Sequence, residues 1–198
     1  MERRDMVKML ATLPLGAWAL STDNVADAAE HTHRVLEELE QQGQPAAFKP
    51  AFFTPLEWRT VNVLADVVIP RDARSGSATQ AGVPQFMDFV MTAYTTNQAR
   101  MRDGLGWINA EARARFGRPF PDITVAERTA IVEDVVWPGK AKPEHAAGVR
   151  FFNAFRDLTA SGFFSSRIGI ADLGYMGNRP QATWTGCLAA AEKHIGVG

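Results

Sequence analysis

The sequence predicts an all-α protein, an irregular helical bundle followed by a Gly-rich C-terminal arm. Three observations carry this. Apolar residues recur three and four apart in several segments, two of those segments open on the same Thr-x-x-Glu signature, and no stretch alternates apolar with polar residues as a half-buried strand would. The chain has 198 residues, 46% of them hydrophobic and 22% charged. That is enough apolar material for one core, and the organisation expected is a leader over 1–28, a peripheral helix and linker over 29–51, and a helical domain over 52–198.

The first twenty residues read as an export signal. Arg3-Arg4-Asp5-Met6-Val7-Lys8 runs into an apolar stretch ending at Leu20, shorter than the roughly 20 apolar residues that span a bilayer. A paired arginine ahead of a short apolar run is the layout of a twin-arginine leader. That route carries folded proteins, so it points to the periplasm and to a redox complex assembled beforehand. Ala17-Trp18-Ala19 and Ala26-Asp27-Ala28 both fit a small-x-small cleavage pattern, and the residues leave the choice open.

Asn24 to Gln42 predicts a solvated, peripheral helix with Val35, Leu36 and Leu39 at helical spacing. Gly43, Pro45 and Pro50 mark a linker. Thr54-Pro55-Leu56-Glu57 is a helix start with a capping threonine, proline in the first turn and a glutamate placed to reach back. The helix it opens should run to Ile69 and bury Leu56, Val61, Leu64, Ala65 and Val68, with Arg59, Asn62 and Asp66 sharing another face. Pro70 stops it, and a polar loop leads to a helix from Pro84 carrying Phe86, Phe89, Val90 and Met91. Met101–Phe116 is a third helical region. Thr124 and Glu127 repeat the capping signature ahead of Ile131, Val132, Val135 and Val136. Pro143–Ala160 is the last long helix, with Val149, Phe152, Phe155 and Leu158 on one side. Beyond Gly162 the periodicity fails, and Gly169, Gly174, Gly177 and Gly186 predict an extended arm.

Composition narrows the function. The net charge of −1 and a pI near 6.4 offer no electrostatic footprint for nucleic acid or an anionic membrane. A single cysteine, Cys187, rules out an internal disulfide, a Cys-x-x-Cys-His haem attachment and an iron–sulfur cluster held by this chain alone. The four histidines, His31, His33, His145 and His194, are scattered; His31 and His33 point to different faces of a helix. The acid pairs Glu37-Glu38 and Glu133-Asp134 occupy adjacent helical positions and read as solvent-facing. No Gly-x-Ser-x-Gly elbow is present, and the arm glycines match neither the dinucleotide fingerprint nor a phosphate loop. No catalytic constellation, cofactor site or metal site is expected in this chain.

The aromatics are more telling. Phe151, Phe152, Phe155, Phe163 and Phe164 crowd one short stretch, and Phe151 and Phe152 are not expected to face the same core from one helix. Two readings follow: a core with a neighbouring arm, or an apolar surface that a partner covers, with Phe163, Phe164, Arg167, Tyr175, Asn178 and Trp184 as its contacts. Arg167 reads equally as a surface charge beside a turn or as an anchoring ion pair. Cys187 reads as a small buried residue or as a thiol against a redox partner.

Several segments in this order resemble one family. Phe53-Thr54-Pro55-Leu56-Glu57-Trp58 leading to Leu64-Ala65-Asp66-Val67-Val68-Ile69-Pro70, then Ala81-Gly82-Val83-Pro84-Gln85-Phe86-Met87-Asp88, resemble the first elements of the gluconate 2-dehydrogenase subunit 3 family. Phe164-Ser165-Ser166-Arg167-Ile168-Gly169, Leu173-Gly174-Tyr175-Met176-Gly177-Asn178 and Trp184-Thr185-Gly186-Cys187 resemble its C-terminal signature. The leader departs from the family's usual form, with Met6-Val7 where Phe-Leu is customary.

The resemblance implies a non-catalytic small (gamma) subunit bound to a large flavoprotein of the glucose-methanol-choline oxidoreductase class. FAD would sit in that partner, which oxidises a sugar alcohol group and passes electrons to a cytochrome c or another acceptor. It also implies that this chain supplies the export leader for both, a chaperone-like escort. The Gly-Tyr-x-Gly-Asn and Gly-Cys pattern looks most like small subunits accompanying glucoside 3-dehydrogenases. From the residues alone, an exported helical binding protein and a stand-alone enzyme with an unrecognised site stay open.

Overall fold

A computed structural model describes residues 21–41 and 48–175. Its regular elements are seven α-helices, here α1 (Thr22–Gln41), α2 (Pro55–Val68), α3 (Val83–Ala93), α4 (Gln98–Phe116), α5 (Val125–Val136), α6 (Ala146–Phe164) and α7 (Arg167–Leu173), with single 3-10 turns at 95–97, 120–122 and 143–145. No strand occurs among the described residues, and the all-α expectation holds. No described helix is long and apolar enough to cross a membrane.

Local chemistry sets the helix starts as expected. Thr54 accepts from the Glu57 amide while the Glu57 carboxylate accepts from the Thr54 amide at 2.8 Å, and Pro55 occupies the first turn. Thr124 and Glu127 repeat this at α5, where hydrogen bonds from the Thr124 amide and hydroxyl hold the Glu127 carboxyl below its ordinary value. Each such cap stabilises by about 1 kcal/mol.

Helix α6 is the axis of the bundle and touches all six other helices. Such a helix buries more than one face and leaves only a narrow polar stripe towards solvent, here Arg150, which is exposed, with Asn153 and Asp157, which are half-buried. That corrects the expectation that Phe151 and Phe152 could not both enter the core: they are 3% and 1% exposed. α6 also runs four residues past its expected end at Ala160 and includes Phe163 and Phe164. One close seam is with α4. A Cβ on Gly104 would lie 1.8 Å from the Phe151 ring, so only glycine allows this separation.

Buried polar side chains fix the joints between elements. Asp88 is 3% exposed and accepts from the amides of Ala51, Phe52 and Phe53 at 2.8, 3.0 and 3.2 Å, anchoring the incoming chain to α3. Asn109 donates to Thr60 Oγ1 and the Leu105 carbonyl and accepts from the Phe120 amide, joining α2, α4 and the turn at 120–122. Asp66 accepts from the amide and hydroxyl of Thr79 and closes the loop between α2 and α3.

α1 is not the solvated helix expected. It docks on α3 with Ala28 and Thr32 buried, and His31 stacks on Phe89 with ring centroids 4.1 Å apart. Tyr94 donates to Asp27 at 3.0 Å. Gly82, at φ +80°, lies so close to Leu36 that a Cβ would come within 2.5 Å. Ala28, Thr32 and Leu36, four apart along α1, line this side, so of the apolar residues expected on the helix Leu36 is the one that reaches Gly82.

Candidate partner interface

The segment expected to be an extended arm opens instead as a short helix, α7. Ser166 caps it, accepting from the Gly169 amide at 3.0 Å while its hydroxyl donates to the Phe163 carbonyl at 2.6 Å. Gly174, at φ +64°, ends it in the left-handed conformation that glycine adopts at no cost. The sequence carried both signals, a serine cap and a glycine stop with seven residues between them, in a segment too short to show periodicity.

Only part of α7 faces the bundle. Ile168 packs against the core, while Ile170 is 37%, Leu173 61% and Tyr175 57% exposed. Ile170 and Leu173 are three apart and therefore neighbours on one helix face. Two ties hold this apolar face in place. Arg167 forms an ion pair with Glu37 of α1, and Arg74 of the α2–α3 loop donates to the Asp172 carbonyl at 3.1 Å. Between α1 and α7 lies a notch of about 150 Å³ bordered by His33, Gln80 and Ile168.

The expected contact residues divide. Phe163 is fully buried and offers nothing to a partner, because α6 continues through it into the core. Phe164 is half-buried, edge-on to Phe163 at 5.3 Å. Arg167 is exposed and paired, and its bond to Glu37 replaces the expectation that Glu37 simply faces solvent. Tyr175 is exposed, as are Leu173 and Ile170, two residues that no periodicity in the sequence marks. Arg3, Arg4, Asn178, Trp184, Cys187 and His194 lie outside the described residues.

The remaining polar candidates serve structure. Asp134 accepts from Arg115 at 2.7 Å. His145 is buried at the start of α6, edge-on to Trp107 at 6.3 Å and 3.9 Å from Glu111. Among the described residues, no three His, Cys, Asp or Glu side chains converge as metal ligands.

A family model described as gluconate 2-dehydrogenase subunit 3 matches residues 55–183. The chain belongs to the gluconate 2-dehydrogenase subunit 3 family. It is accordingly a small subunit of a dehydrogenase complex. The match opens on the capped start of α2 and takes in every helix of the bundle except α1. In this subunit 3 protein the docked α1 therefore lies outside the matched region, as do Trp184 and Cys187. No curated protein and no solved structure matches the chain.

Proposed function

We propose that this subunit 3 protein is the non-catalytic partner of a FAD-dependent flavoprotein of the glucose-methanol-choline class, which it stabilises and escorts to the periplasm by twin-arginine export. The observation that carries this reading is family membership across the bundle, and the apolar face of α7 supports it. Ile170, Leu173 and Tyr175 form a patch whose burial against another chain would remove apolar area from water at about 25 cal/mol per Å², while Arg167 and Arg74 hold the patch in register. FAD and hydride transfer belong to the large subunit, whose substrate is a sugar or glycoside; the C-terminal pattern favours oxidation of a glycoside C3 hydroxyl. Electrons then pass to a cytochrome c or another acceptor. Any membrane association comes through the complex.

The two candidate cleavage points differ in consequence. Cutting after Ala28 would sever α1, removing the Asp27 bond to Tyr94 and the buried Ala28. Cutting after Ala19 leaves α1 whole, and we assign processing to that point. Escort is tested with Arg3→Lys/Arg4→Lys in the full chain. Both this protein and the flavoprotein should then stay in the cytoplasm, read by immunoblot of fractionated cells. A flavoprotein that still reaches the periplasm would refute the escort role.

A further inference from the structure

The notch between α1 and α7 opens at the start of the helix that carries the exposed apolar face. Its floor is apolar, made by Leu36 of α1, Ala81 of the α2–α3 loop and Ile168 of α7. Its α1 wall is a single helix face, with His33, Glu37 and Glu40 spaced at four and three residues. A volume of about 150 Å³ holds a group the size of a benzene ring, so one side chain fills it and a helix does not.

The charges around the notch leave a negative excess. Arg167 is neutralised by Glu37, and Arg34, the nearest cation along α1, pairs with Glu30. Glu40 makes no ion pair among the described residues. α1 also ends here, at Gln41, with no basic residue in its last turn, so the negative end of its dipole adds to the carboxylates. α7 starts on the opposite side, where Ser166 already accepts from the Gly169 amide and caps the turn. His33 brings a buried Nε2 without a hydrogen-bond partner, an acceptor when the ring carries its proton on Nδ1. What the notch lacks is a cation that donates hydrogen bonds. An arginine side chain is one: all its polar groups are donors, and its apolar stem matches the floor.

We propose that this notch is a socket for one arginine side chain of the large subunit, with Glu40 as its counter-ion. The proposal rests on the reading of this chain as a partner-binding small subunit, and it adds to the apolar face of α7 a charged anchor built half by α1, which lies outside the family match.

The test places a photo-crosslinking amino acid at Gln80, exposed on the rim of the notch, and separately at Leu173, in the tagged full-length chain expressed in its native host. Mass spectrometry then identifies the crosslinked peptides. Gln80 is expected to capture a large-subunit peptide that contains an arginine. Glu40→Lys should cut recovery of the large subunit about tenfold with the thermal melt of this chain unchanged, and exchanging the captured arginine for glutamate in the large subunit should restore recovery. Undiminished recovery with Glu40→Lys, no restoration by the exchanged pair, or crosslinks from Gln80 only to residues 176–198 of this chain or to a second copy would overturn the socket. Large subunit captured at Leu173 but not at Gln80 would overturn it while leaving the partner reading intact. Absence of any large subunit with the unsubstituted chain would overturn the partner reading, and the socket with it.

Discussion

Phe151→Ala is expected to lower the stability of the bundle by about 3–5 kcal/mol, a large part of the roughly 5–15 kcal/mol available to a domain. Phe151 lies against Gly104 of α4 and is 3% exposed. Truncating it opens a cavity at the seam on which both helices depend. Gly104→Ala attacks the same contact from the other side. Its Cβ would meet three ring atoms of Phe151 at 1.8, 2.2 and 2.6 Å, so the ring or a helix must shift. The cost of overpacking is about 1–3 kcal/mol, and the better helix propensity of alanine offsets at most about 1 kcal/mol of it.

The two changes are not independent. With the ring gone, the new Cβ has room, so Gly104→Ala/Phe151→Ala should cost clearly less than the sum of the single changes. Urea unfolding of the full-length chain measures all three. Additivity within about 0.5 kcal/mol, the behaviour of sites that do not touch, would contradict the packing described.

Leu173→Glu is expected to leave the fold intact and break the complex. Leu173 is 61% exposed, so the substitution should move stability by no more than about 0.5 kcal/mol. If the α7 face is the centre of the interface, burying a carboxylate there costs about 2 kcal/mol or more, a loss of affinity on the order of 30-fold. Arg167→Glu should weaken the complex as well, by setting two carboxylates against each other where Arg167 now meets Glu37. The bridge is exposed, with side chains 73% and 44% accessible, so its loss does not unfold the protein. Recovery of the large subunit by the tagged variants, set against their circular dichroism melts, separates the two effects. Full recovery with Leu173→Glu would remove α7 from the interface.

What the sequence conveyed follows from where each cause resides. Caps are local: Thr54 with Glu57, and Thr124 with Glu127, are readable because the partners lie three residues apart. Burial on more than one face is not local. Nothing in the Phe151-Phe152 pair says that α6 touches six other helices and leaves only the stripe of Arg150, Asn153 and Asp157 outside, and simple amphipathic reasoning assigns one of the two phenylalanines to the surface. α1 misled for the opposite reason, since its most buried positions, Ala28 and Thr32, are small and carry little hydrophobic signal, while Leu36 alone of its apolar run reaches Gly82. Asp88 was legible in principle. A carboxylate in the run Phe86-Met87-Asp88-Phe89-Val90 must find donors, though its three amide partners lie more than thirty residues earlier. The interface divides along the same line: the loss of periodicity after Ala160 hides that α6 carries Phe163 into the core, and a helix of seven residues is too short for its sequence to mark Ile170 and Leu173 as one face.

The proposed binding of a flavoprotein by this chain is tested most directly by purifying the C-terminally tagged protein from the periplasm of its native host and recording a visible spectrum alongside a denaturing gel. A flavin spectrum with a second, larger band in constant proportion to this chain is the expected result. A colourless preparation with this chain as its single band would contradict it.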